Sequence, residues 1–215
     1  MREMMKNTLI LLMITLISGL LLGGVYRITK VPIMEQQNEA EMKACLEVFD
    51  VDEGTVNFDT MSADMLANLD EILANAGFSG VTIDRVIEVT DEKCEIKGYV
   101  LSVISHEGYG GDIGFYMGVT REGVTNGISI LDISETPGLG MRAEEVLKPQ
   151  FTNRAAEQFA YTKTGAQAEN EIDAISGATV TTKAVTNAVN AGLTYLYAQG
   201  LISWPSEMGE SGGGN

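Results

Sequence analysis

Between residues 8 and 25 the chain reads TLILLMITLISGLLLGGV, an apolar run with no charge in it. A helix of about 18 such residues is roughly the minimum for crossing a hydrocarbon core, so the run predicts a membrane anchor. A cleaved signal peptide is the competing reading. It shares the charged start and the apolar run, but Leu22, Gly23, Gly24 and Val25 make a poor small-x-small cleavage site and no lipobox cysteine follows.

Beyond the anchor the pattern becomes helical. Ala40, Ala44 and Val48, with Leu46 and Phe49 beside them, fit one face of a helix over residues 35–50. A second predicted helix covers residues 63–76, capped by Ser62 and stopped by Gly77, with Met65, Leu66, Leu69, Ile72 and Leu73 at three- and four-residue spacing. From Val81 the period drops to two. VTIDRVIEV and EIKGYVLSVIS, rich in β-branched residues, predict two strands. GFYMGVT and VTNGISILDIS predict a hairpin, joined through Arg121, Glu122 and a Gly123 able to take positive φ.

Short helical pieces are expected at residues 144–147 and 153–160, around Pro149. A long helix runs from Thr179 to near Gly200 and buries Val185, Ala188, Val189, Gly192 and Leu196. The pattern therefore predicts an α+β fold with a largely antiparallel twisted sheet packed by helices. Its expected divisions are an anchor at 1–30, a helical connecting region packed on the domain at 31–80, the sheet domain at 81–205 and a flexible Gly-rich tail at 206–215.

Composition narrows the chemistry. The formal net charge is -16, and because Arg2, Lys6, Arg27 and Lys30 against Glu3 give the first thirty residues +3, the remainder carries -19. Such a body repels phosphate backbones and acidic lipid headgroups, which excludes nucleic acid as a natural partner. The positive charges flanking the anchor nearly balance, and the free N-terminal amine tips the N-terminus toward the cytoplasm, leaving the acidic domain outside. His106 is the only histidine, so a Ser-His-Asp triad or a multi-histidine metal site has nothing to be built from. Cys45 and Cys94 lack the spacing of a metal or iron-sulfur site; a disulfide between them and two buried thiols both remain open. No catalytic residue and no metal ligand is expected.

Three segments carry candidate chemistry. Asp173-Ala174-Ile175-Ser176-Gly177-Ala178-Thr179-Val180-Thr181-Thr182 sets four hydroxyls and a glycine at the start of the long helix, where unpaired N–H groups and the dipole attract anions. The competing reading is an ordinary cap by Ser176 or Thr179, with nothing bound. Gly108-Tyr109-Gly110-Gly111 reads as a turn between strands, and Glu135-Thr136-Pro137-Gly138-Leu139-Gly140 has Pro then Gly where a type II turn requires them.

In wording and order these segments resemble the FMN-binding domain of the G subunit of Rnf complexes and the related C subunit of sodium-translocating NADH:quinone reductases. DAISGAT is similar to that family's flavinylation pattern of Asp, two variable residues, Ser or Thr, then Gly-Ala-Thr. The resemblance implies FMN joined through its phosphate to Thr179 by a separate flavin transferase, with Asp173, Ser176, Gly177, Ala178, Thr181 and Thr182 around the bond. It also implies that Glu135, Thr136, Gly138, Leu139 and Gly140, together with Tyr109, Gly110 and Gly111, lie near the flavin ring. A threonine hydroxyl is a weak nucleophile without a base or metal, and none is near it in sequence, so the transferase is required.

Two residues depart from the family pattern. Asp112 stands where relatives often have proline and would bring negative charge toward the ring; Thr182 stands where many have serine. The implied role is an electron-transfer subunit of a membrane complex coupling ferredoxin oxidation and NAD reduction to Na+ or H+ translocation. Partner subunits must supply the dinucleotide site, iron-sulfur clusters and ion path that this sequence lacks. The alternatives are a quinone-reductase C subunit, a stand-alone extracytoplasmic flavin carrier, and an anchored binding module in which the hydroxyls merely cap a helix.

Overall fold

The computed structural model describes residues 1–49, 56–61 and 66–204. It forms two compact units, Met1–Met42 and Lys43–Asn215. The expected tail at 206–215 lies outside the described residues.

The first unit lies within helix α1 (Arg2–Phe49), which continues through Pro32. The segments expected as an anchor and as a separate helix over 35–50 are thus one helix. It is long and apolar enough to cross a membrane.

The second unit is built on a six-stranded antiparallel sheet in chain order. Its strands are β1 (Val56–Thr60), β2 (Val81–Asp91), β3 (Ile96–Ser105), β4 (Ile113–Thr120), β5 (Val124–Ile133) and β6 (Arg154–Ala155). Helix α2 (Leu69–Asn75) follows β1, and α3 (Ala143–Val146) lies between two 3₁₀ turns after β5. A parallel pair, β7 (Ala160–Thr162) and β8 (Glu171–Asp173), then leads into α4 (Thr179–Ala198).

The period-two pattern buries the sheet on both faces. Tyr99, Leu101 and Val103 of β3 face one cluster with Phe115, Met117 and the apolar side of α4. Val100 faces the other, with Tyr116, Ile87, Val89 and the last turns of α1 through Ala44, Cys45 and Val48. In β2 an irregularity between Ile83 and Arg85 changes the phase, so Val81, Ile83 and Val86 share the α4 face despite their numbering. Gly118 lets α1 approach: a Cβ there would stand 2.7 Å from the Val48 carbonyl oxygen.

The β4–β5 hairpin turns as expected. Gly123 has φ 73 and its N–H donates to the Thr120 carbonyl.

Several expectations need correction. Among the described residues the second helix starts only at Leu69, because Asn68 takes a non-helical conformation at its N-cap; Ser62, its expected cap, and residues 63–65 lie outside the described residues. Residues 153–160 are not helical: Asn153 adopts φ 53, which asparagine tolerates, and the chain then enters β6. Neither arrangement left open for the cysteines is found: no disulfide joins them, and Cys45 is buried while Cys94 is exposed. Strands β1, β6, β7 and β8 are additions that the periodicity did not predict.

Candidate functional site

The three motif segments meet at one end of the sheet, around the start of α4. The route there begins at the end of β5, where Leu131 is an extra residue between the pairs Gly114–Asp132 and Phe115–Ile130. Such a bulge re-aims the chain that follows it, here Ser134 and Glu135.

Two tight turns follow the same recipe. In the first, the Leu139 N–H donates to the Thr136 carbonyl at 3.1 Å, with Gly138 at φ 76. This is the turn that the Pro-Gly pair predicts. In the second, the Ala178 N–H donates to the Ile175 carbonyl at 3.0 Å, with Gly177 at φ 79. The two turns touch: a Cβ on Gly177 would stand 3.0 Å from Leu139 Cδ2.

Helix α4 begins directly after the second turn. Its N-cap is Ala178, and no side chain caps it. The ordinary-cap reading of Ser176 or Thr179 is therefore corrected, since alanine has no oxygen to offer and the first-turn N–H groups keep their donor capacity.

The hydroxyls have separate places. Thr182 Oγ1 accepts from the Ile175 N–H at 3.0 Å and donates to the Ala178 carbonyl at 2.9 Å, so it holds the turn against the helix. Thr182 is buried, Thr181 is buried toward the cleft, Thr179 is half-buried and Ser176 is exposed. Asp173 points elsewhere, its Oδ1 accepting the Ala166 N–H at 2.6 Å. Its backbone is clamped by Gln150, whose Oε1 accepts the Asp173 N–H at 2.6 Å while Nε2 donates to the Asp173 carbonyl at 3.1 Å. Gln150 is a contributor that sequence reasoning missed, for no spacing links it to the motif. Just upstream, Glu171 accepts the N–H groups of Gln167 and Ala168, which hold its carboxyl below the usual range.

Tyr109, Glu135, Thr136, Leu139, Gly140, Gly177, Ala178, Thr179, Val180 and Thr181 line one cleft of about 550 Å³. That volume lies in the range of about 300–1,000 Å³ of small-molecule sites. Gly138, Gly110 and Gly111 shape the loops without lining it. At Gly110 a Cβ would come 2.1 Å from the Ser134 carbonyl oxygen, which explains the glycine.

Glu135 joins two of the segments, its Oε1 accepting the N–H of Tyr109 at 2.7 Å and of Gly110 at 3.3 Å. Asp112 pairs with His106, 3.0 Å from Nδ1, and is not among the lining residues. The other imidazole nitrogen lies 3.0 Å from Thr82 Oγ1. Among the described residues no cluster of His, Cys, Asp and Glu forms a metal site.

The donor set fits a phosphorylated flavin. The uncapped start of α4 suits the phosphate, while Tyr109, Leu139 and Val180 offer exposed apolar surface.

Comparison with known proteins bears on the domain and the fold. The FMN-binding domain family matches residues 108–194, and the RnfG N-terminal region matches residues 1–48. The G subunit of the Na(+)-translocating ferredoxin:NAD(+) oxidoreductase complex of Acetobacterium woodii is 41% identical over 98 residues, 45% of this chain. That match spans about half of the relative, 47%. The G subunit of the ion-translocating oxidoreductase complex of Pseudomonas aeruginosa is 28% identical over 205 residues, covering 92% of this chain and 90% of that one. In fold, the crystal structure of Shewanella oneidensis NqrC matches with a TM-score of 0.56 at 18% identity, over 77% of this chain and 96% of that one. Residues 108–194 thus match the FMN-binding domain family, and the RnfG N-terminal region is matched ahead of that domain.

Proposed function

We propose that this chain is an FMN-bearing electron-transfer subunit of an Rnf-type membrane complex, with the flavin joined through its phosphate to Thr179. The observation that carries the reading is the uncapped start of a 20-residue helix opening onto a cleft closed by two glycine turns. A phosphate placed there gains about 0.3–1 kcal/mol from the helix end, and up to about 2 where partly buried. Thr179, half-buried on the cleft wall, offers a hydroxyl at that same point.

When bound, flavin supplies one- and two-electron transfer. The chain's own residues bind and orient it: Leu139, Tyr109 and Val180 pack apolar surface, Gly140 and Gly177 let the cleft walls close on Thr181, Glu135 and Leu139, and Thr181 and Glu135 offer polar edges. Bond formation falls to an external flavin transferase. A covalent tether holds the cofactor at an effective concentration on the order of millimolar or more, which suits a domain outside the cytoplasm where lost FMN is not readily replaced.

In this reading α1 spans the membrane once, with the N-terminus cytoplasmic and the flavin domain on the far side. Partner subunits supply ferredoxin oxidation, NAD reduction and the path for Na+ or H+. The fold is shared with the quinone-reductase C subunit, but the RnfG region at residues 1–48 favours the Rnf type.

Intact-mass analysis of the chain from its own host, with peptide localisation, tests the proposal. The expected result is one added FMN on the wild type, none on Thr179→Ala, and an unchanged melting transition for the flavin-free forms of both. Flavin retained on Thr179→Ala moves the bond, first to Thr181, because the Thr182 hydroxyl is already spent inside the turn. A wild type without flavin favours the anchored binding module.

A further inference from the structure

Among the described residues Glu135 is the one charged side chain in the buried class, at 7% exposure. No lysine, arginine or histidine there lies within ion-pair distance of it. Carboxylates are rarely buried without a partner cation, because leaving water costs several kcal/mol or more. Its place on the cleft wall needs a reason.

One oxygen is explained locally. Oε1 accepts the N–H groups of Tyr109 and Gly110 and so fastens the Gly-rich loop to the chain leaving β5. The other is not. Oε2 accepts no hydrogen bond from the described residues and lies on the bare face of Gly140, 2.7 Å from where a Cβ would stand, with Thr181 Oγ1 2.6 Å from the same point. Glu135, Gly140 and Thr181 all line the cleft.

We infer that Glu135, besides positioning the loop, holds a fixed negative charge on the cleft wall that shifts bound flavin toward its oxidised form. The inference rests on the flavin reading above. Reduction adds electron density to the ring, and a carboxylate on the cleft wall opposes that by direct repulsion. No cation among the described residues forms an ion pair with it. The positive end of α4 faces the same cleft, but in this reading the phosphate takes it up. A backbone carbonyl or an asparagine in Glu135's place would fasten the loop without the charge.

The test is a spectroelectrochemical titration of full-length wild type, Glu135→Gln and Glu135→Asp, each made with the transferase and checked by intact mass. Two electrons come from dithionite and the accompanying protons from water. Glutamine keeps an acceptor for the loop amides and removes the charge; aspartate keeps the charge. At the wild-type midpoint, Glu135→Gln is expected to lower the oxidised-to-reduced ratio at least tenfold, a rise of about 30 mV for a two-electron couple. Glu135→Asp is expected to stay within about threefold, or about 15 mV.

A flavin-bearing Glu135→Gln with an unchanged midpoint overturns this inference alone. So does Glu135→Asp moving as far as Glu135→Gln, which would assign the effect to loop geometry. Loss of flavin from Glu135→Gln while the wild type keeps it assigns the residue to attachment and also overturns it. A wild type without flavin mass overturns the flavin reading and this inference together.

Discussion

Replacing Gly140 by alanine adds one methyl group where three atoms converge. The new Cβ would stand 2.6 Å from Thr181 Oγ1 and 2.7 Å from both Cβ and Oε2 of Glu135. Comfortable contacts lie near 3.5–4.0 Å between carbons, so each neighbour must retreat by about 0.7 Å or more. None can do so cheaply: Thr181 is in the first turn of α4 and 1% exposed, while Glu135 is held by two loop amides. The strain therefore pushes the turn at Thr136–Leu139 away from the helix start. Overpacking of this kind costs about 1–3 kcal/mol, against a gain of about 0.4–1 kcal/mol from stiffening the unfolded chain. A net loss of about 1–2 kcal/mol lowers the melting temperature by roughly 2–8 °C for a unit of this size. The measurement is thermal unfolding of flavin-free, full-length protein in detergent. Gly127→Ala is the control, since its Cβ would meet only Thr152 Oγ1 at an ordinary 3.7 Å. If Gly140→Ala melts within 1 °C (about 0.3 kcal/mol) of that control, the contact between loop and helix start does not hold the cleft together.

Two further perturbations address the frame around the cleft. Asn190 of α4 is 4% exposed and clips the backbone of Phe159 on both sides, accepting its N–H at 2.8 Å and donating to its carbonyl at 2.9 Å. Asn190→Ala leaves both groups unpaired in the interior and is expected to cost about 2–4 kcal/mol in urea unfolding; a loss under about 1 kcal/mol would mean that water replaces the clip. At the β2–β3 turn, the N–H of Glu95, the Lys97 ammonium and the N–H of Lys93 hold Asp91 at a pKa of about 2. Its ordinary value is about 3.9. A carboxyl depressed on folding stabilises the fold above the unfolded value, and that contribution fades as pH falls through the folded one. Asp91→Asn is therefore expected to flatten the melting temperature between about pH 4 and pH 2; a slope there equal to wild type would remove Asp91 from the acid response.

The parts of the fold written in local periodicity were readable from the sequence. Strands β2 to β5 follow runs rich in Val, Ile and Tyr bounded by turn residues, and α4 follows the spacing of Val185, Ala188, Val189, Gly192 and Leu196. What escaped is held by partners distant in sequence. Strand β1 pairs along β2 from Val56 to Thr60, and β6 is two residues against Val124 and Thr125. Neither has a period long enough to announce it. The site behaved in the same way. The Pro-Gly turn was legible because its chemistry is local, whereas the second turn around Gly177 was hidden among hydroxyls that suggested a cap. Gln150 and the buried state of Glu135 are consequences of tertiary placement alone.

The four hydroxyls of the helix start were equivalent in sequence and are not equivalent in space. Thr182 is committed at both ends of its Oγ1 and cannot carry a phosphate without opening the turn that leads into α4. Thr181 is 1% exposed and pressed toward the bare face of Gly140, so a bond there must first displace the loop wall. Ser176 is exposed but does not line the cleft. Thr179 alone of the four combines partial exposure with a place on the cleft wall and the first position of an uncapped helix. An ordinary cap would have needed an oxygen at residue 178. With alanine there, no side-chain oxygen caps the helix start, which is why the proposed phosphate hangs on the side chain that follows.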